Sequence, residues 1–154
     1  MRGNPLRRSA VKRLRTVFAL SAADWRLLLG SVVTILWVRL VLRMWKLDRL
    51  RVWSGRMGSP GRPIDRIVWA VWSAGRRLPG TKCLAYAFAL QRLLARNGHA
   101  SEVHIGVTRD QRGFTAHAWV MHGGRVLFDT QDHGSYTPLT AWPVRSATTE
   151  SDSA

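Results

Sequence analysis

Cysteine is nearly absent from this chain: among 154 residues there is one, Cys83. No internal disulfide can form, which excludes a disulfide-built secreted scaffold. The five histidines, His99, His104, His117, His122 and His133, show no paired metal-ligand spacing, so neither a metal nor a cofactor is expected. No glycine loop ends in Lys-Ser/Thr, which excludes a P-loop; Gly75 to Gly80 lacks that ending. Long uncharged runs are also lacking. The uncharged core of the apolar N-terminal segment, Leu27 to Val38, would make a helix of about 18 Å against the ~30 Å of a bilayer core, so a buried or interfacial helix is expected rather than a span. No apolar stretch with a small-residue cleavage site follows the basic N-terminus, so the expected location is cytoplasmic, with peripheral membrane contact as an addition.

Acidic residues are few as well, 9 against 24 Lys and Arg, a net charge of +15. The excess is concentrated: residues 1–56 hold 13 of the basic residues and only Asp24 and Asp48, a net of +11. Such a surplus suits an anionic membrane surface or an acidic partner. Nucleic acid is the remaining candidate, and nothing else in the chain favours it.

Three regions emerge. Residues 1–56 read as a basic, helical N-terminal segment, with a mobile arm over 1–15. Ser21 and Asp24 form a capping box ahead of an apolar helix from Trp25 to Leu47. The stretch Gly55 to Pro63, with three glycines and two prolines, reads as a linker. Residues 57–145 read as the core: a helix over Ile64–Arg77, a break at Leu78-Pro79-Gly80, and a second helix from Thr81 to about Asn97, with Thr81 as its cap and Gly98 as its stop. Ser101 to Thr108 alternates as a strand, Asp110 to Gly113 turns, and two strands flank Gly123-Gly124. Residues 146–154 are small and polar and expected to be disordered. The fold class is therefore α+β, a cysteine-bearing helix on an antiparallel sheet.

Within that frame three residues suggest chemistry. Cys83 leads the stripe Cys83, Ala87, Leu90 and Leu94, otherwise apolar, so it faces the layer its helix packs on. It also lies in the first helical turn, where unpaired N–H groups and the dipole favour an anion. The competing reading is a small buried hydrophobe, the usual fate of a lone cysteine. His117 lies on one strand-like run and Asp129 ends the next. A two-residue Gly123-Gly124 turn would set Asp129 on the face opposite His117. A three-residue loop, His122-Gly123-Gly124, would pair 117 with 129 on one face. Asp132 is the rival carboxylate. A Cys, His, Asp order of this kind suits acyl transfer: the carboxylate orients the imidazole, which takes the thiol proton and returns it to the leaving amine.

Cys83-Leu84-Ala85, Leu93-Leu94-Ala95-Arg96-Asn97-Gly98, His104-Ile105-Gly106-Val107, Ala116-His117-Ala118-Trp119-Val120 and Gly124-Arg125-Val126-Leu127 ending at Asp129 together resemble the lasso-peptide leader peptidases. These are the papain/transglutaminase-like half of the lasso biosynthesis B proteins. The resemblance covers about residues 64–140. It implies Cys83 as nucleophile, His117 as base and acid, Asp129 as orienting carboxylate, and the Cys83 backbone N–H as an oxyanion donor. It also implies cleavage of a ribosomally made lasso precursor peptide between leader and core, after which a separate ATP-dependent lasso cyclase closes the ring. Residues 1–56 do not resemble the strand-containing recognition domain found in some members, so a separate leader-binding protein is expected. Phe128 and His122-Gly123 depart from the family pattern. Two alternatives stand beside this reading: a transglutaminase-type acyl transferase, and a non-catalytic basic adaptor for membrane or nucleic acid.

Overall fold

The computed structural model describes residues 20–44, 47–110, 113–128 and 136–144. The arm over 1–15, Trp45, Lys46, Asp129, Asp132, His133 and the tail from Ser146 lie outside them. Among the described residues four helices come first: α1 (Ala22–Met44), α2 (Leu47–Ser54), α3 (Ile64–Gly75) and α4 (Cys83–Arg96). Four strands follow: β1 (Glu102–Asp110), β2 (Gly113–His122), β3 (Arg125–Phe128) and β4 (Thr137–Pro143). They form one antiparallel sheet in the order β3-β2-β1-β4.

The capping box at the head of α1 is formed. The Asp24 N–H donates to Ser21 Oγ at 3.1 Å, while the Ser21 N–H and hydroxyl reach back to Asp24 Oδ2. The Ser21 hydroxyl holds the Asp24 carboxyl below its ordinary range against an opposing desolvation, and Arg66, 3.8 Å away, adds to the lowering. A carboxyl lowered in the fold lends stability above its unfolded value and loses it only as the pH falls through the lowered one.

α4 is the centre of the core. Ala87, Leu90 and Leu94 of the predicted stripe are fully buried. Around α4 pack Ile35, Val38 and Val41 from α1, Leu50 from α2, and Ile67 and Val71 from α3. Beneath it lie Val103, Ala118 and Val120 of the sheet, and Phe88 stacks on Trp142 of β4 at 5.7 Å between centroids. The helices over 22–54 thus share one core with the sheet rather than standing apart from it.

The stretch read as a linker does a structural job. Strapped across the end of α4, Gly58 N–H donates to Ala95 O, Gly61 N–H to Asn97 O, and Arg62 N–H to Asn97 Oδ1, at 2.8, 3.2 and 2.9 Å. Asn97 O is a carbonyl of the kind a helix end leaves without an intrahelical partner, and Ala95 O takes the Gly58 N–H in addition to that of Gly98. The approach is close enough that a Cβ on Gly58 would fall 2.4 Å from Arg96 O.

Gln91 fixes the middle of the same helix. Its side-chain amide donates to Trp142 O at 2.9 Å and Ser101 O at 3.3 Å, and its carbonyl accepts from the Ser54 hydroxyl at 2.6 Å. One buried side chain therefore ties α2, α4, the entry to β1, and β4. We expect Gln91→Leu to destabilise the fold by about 1–3 kcal/mol, the cost of orphaning buried polar partners. Thermal unfolding followed by circular dichroism should fall by several degrees; an unchanged midpoint would remove Gln91 from this role.

Candidate active site

Cys83 is the first residue of α4, preceded by Lys82 in an extended conformation, and no side chain caps the helix start. This corrects the expectation for Thr81. Its hydroxyl instead donates to Leu78 O at 2.9 Å and accepts from Arg39 Nη1 at 3.3 Å. Arg39 Nη1 also donates to Pro79 O at 3.1 Å. The turn Leu78–Thr81 is thus tied to itself and to α1, and Gly80 supplies its positive φ of 71°. Thr81 is committed to the turn, so the first-turn N–H groups of α4 keep no side-chain acceptor. That is the condition under which a helix start can hold an anion.

Cys83 is partly buried against the core. The short connection from Asn97 to Ser101 makes α4 run back along β1, and Gln91 sets its level by bonding at Ser101 and Trp142, beside Val103. Cys83 thus stands about 12 Å along the helix axis from Gln91, and on the sheet Gly106 of β1 pairs with His117 of β2.

His117 is buried, only 3% exposed. Its imidazole lies between Trp119 and Tyr136, with centroids 6.1 and 5.2 Å away. Trp119 in turn stacks on His104 at 5.8 Å, so His104, expected at the surface, is half-buried and hydrogen-bonded to Glu102 at 2.9 Å. Gly106 makes room for this aromatic wall. A Cβ there would meet Thr137 O at 2.9 Å, and the Trp119 ring and Tyr136 Cβ at 3.0 Å. A glycine inside a strand often marks such an approach.

Alternation along β2 puts Ala118 and Val120 beneath α4, and His117 and Trp119 on the other face. The expectation that the cysteine helix packs on the His117 face is therefore corrected. Among the described residues no hydrogen bond joins Cys83 to His117. The hairpin differs too. Gly123 and Gly124 both have positive φ, 54° and 75°, and His122 pairs with Arg125. Two consecutive glycines make a two-residue primed turn, whose twist suits the strands better than the three-residue loop. A bulge follows: Met121 pairs with Val126 but Val120 with Phe128, and Leu127, the extra residue, packs on the core. Asp129 and Asp132 are outside the described residues. Hollows of about 540 Å³ by Glu102, His104 and His122, and of about 420 Å³ by Asp48, Trp53 and Arg56, include neither Cys83 nor His117.

Residues 28–141 match the Transglutaminase-like superfamily core, close to three-quarters of the chain. The chain belongs to the transglutaminase-like superfamily. Its α+β architecture, with a cysteine at a helix start and a histidine on an antiparallel strand, fits the papain-like core of that family. Its general chemistry is that of cysteine peptidases and acyltransferases. No curated protein and no solved structure gives a significant match. Tyr136, Arg39 and Gly106 had no expected role at the site; of these only Gly106, a lone glycine within an alternating strand, carried a local signal. We expect Gly106→Ala to press on the Trp119–Tyr136 wall and lower stability by about 1–3 kcal/mol, as overpacking does. Denaturant titration checks this, and a wild-type midpoint would contradict the close packing.

Proposed function

We propose that this transglutaminase-like protein is a cysteine endopeptidase that removes the leader from a lasso-peptide precursor. The observation that carries the reading is the position of its only cysteine: the first residue of an uncapped helix, inside a family-matched core whose sheet holds the buried His117. The substrate assignment rests on the motif resemblance over residues 64–140.

In this reading the imidazole of His117 takes the proton from the Cys83 thiol. The sulfur attacks the carbonyl carbon at the leader–core junction, and first-turn N–H groups, that of Cys83 among them, receive the oxyanion. Collapse of that intermediate breaks the C–N bond, and the imidazolium protonates the departing core amine. The leader is left as a thioester on Sγ. Water then attacks the thioester with His117 again as base, giving a leader carboxylate and the free thiol. Because α4 lies over the Ala118 and Val120 face, this reading requires Cys83 and His117 to meet past the end of the helix rather than beneath it. Contacts of this sort are often long without substrate and tighten on binding.

Asp129 is assigned as the carboxylate that orients His117, with Asp132 as its rival. The choice rests on the motif resemblance, in which Asp129 ends the run Gly124-Arg125-Val126-Leu127. Helices α1 and α2 are used in the domain's own core, which supports leader recognition by a separate leader-binding protein. The released amine would then pass to an ATP-dependent cyclase.

Precursor cleavage by the purified chain tests this, with and without the leader-binding protein. Cys83→Ala and His117→Ala should each lower the rate by at least about a thousandfold, as for members of a unit acting together. Their far-ultraviolet circular dichroism should match wild type, and the leader-binding protein should raise the wild-type rate. Undiminished cleavage by Cys83→Ala ends the peptidase reading; equal wild-type rates with and without the partner end the split arrangement alone.

A further inference from the structure

α1 has two unlike sides. Leu27, Ile35, Val38 and Val41 are buried, the last three within the common core. The opposite side carries Trp25, Leu29, Val33, Leu36, Trp37 and Leu40, each between 43 and 66% exposed. At about 100° per residue these six fall within an arc of about 120°, and they run for about 22 Å along the axis. Roughly half of each large side chain is open, which makes an apolar strip of roughly 500 Å², at the upper end for a monomer's largest patch. Exposed Arg26 stands at one end of the strip and exposed Arg43 at the other.

We infer that this strip seats the protein in the plane of an anionic lipid bilayer, with α1 lying in the interface. Charge selects that occupant. The chain carries +15, with most of the excess in residues 1–56, and the two arginines bracket the strip at headgroup positions. A second copy of the chain would bring the same charge and meet repulsion. The exposed strip offers no acidic group to pair with a basic partner, and the polar side chains that border it are arginines. Trp25 and Trp37 suit the boundary between headgroups and acyl chains. By length and composition α1 could also cross a bilayer, but its other side is built into the core, so crossing would require unpacking the domain.

The inference is independent of the catalytic reading. Its test is flotation of the full chain with vesicles of phosphatidylcholine, with and without phosphatidylglycerol. Wild type should float with the mixed vesicles and more weakly with the neutral ones, and added salt should weaken the binding. Leu36→Glu with Leu40→Glu should reduce the bound fraction at least about tenfold without lowering the melting temperature, since both side chains face solvent. If that pair unfolds the chain, Leu36→Gln with Leu40→Gln serves the same purpose. Equal flotation of variant and wild type would overturn the proposal. So would absence of flotation, or a wild-type dimer in sedimentation equilibrium that the same substitutions dissociate, which would assign the strip to a second copy.

Discussion

Everything at the candidate site depends on how firmly α4 is held along its length. Its C-terminal end is strapped by the Gly58–Arg62 segment, which donates to Ala95 O and Asn97 O. Its middle is fixed by Gln91, one amide bonded to three other elements. Ahead of its N-terminal end, Arg39 of α1 ties the turn that leads into Cys83. Sliding the helix by one residue would break the Gln91 bonds and shift the cysteine by about 1.5 Å. A nucleophile must be placed to within a fraction of that distance. The same fixation explains why α1 and α2 belong to the core: without Leu50, Ile35 and Val38, α4 would have an open flank.

The second constraint is the aromatic wall around His117. Burial between Trp119 and Tyr136 limits how the imidazole can turn, and Gly106 supplies the space that makes the wall possible. The wall draws on two strands and the residue leading into β4, so the site is assembled by the sheet's long-range pairing rather than by a local motif.

That distinction decides how much could be read from the sequence. Elements set by periodicity and punctuation were legible: α3, the Cys83 stripe on α4, the Ser21–Asp24 box, and the alternating runs of β1 and β2. Features set by tertiary partners were not. The Gly55–Pro63 stretch has a linker's composition, yet its glycines serve close approach to α4, which composition does not distinguish from flexibility. Thr81 has a cap's position but is drawn away by Arg39, forty-two residues earlier in the chain. Trp25 and Trp37 suit a core or a membrane surface equally in sequence, and only the packing of Val38 and Val41 shows which side of α1 is left open. The strand β4 was missed because it draws its partner from distant sequence, and α2, inside the segment read as helical over 1–56, was not told apart as a separate helix. Of the two hairpin registers compatible with the residues, the turn takes the two-residue one, and the bulge at Leu127 then shifts the pairing beyond it.

The central claim is that Cys83 forms a thioester with the acyl half of its substrate, and intact-protein mass spectrometry tests it most directly. The chain is mixed with a lasso precursor and its leader-binding protein, quenched in acid within the first turnover, and mapped by proteolysis. The account predicts an added mass equal to the leader less one water, located on Cys83 and removed by hydroxylamine. Cleavage that proceeds with no adduct on Cys83, or with an adduct on another residue, would contradict it.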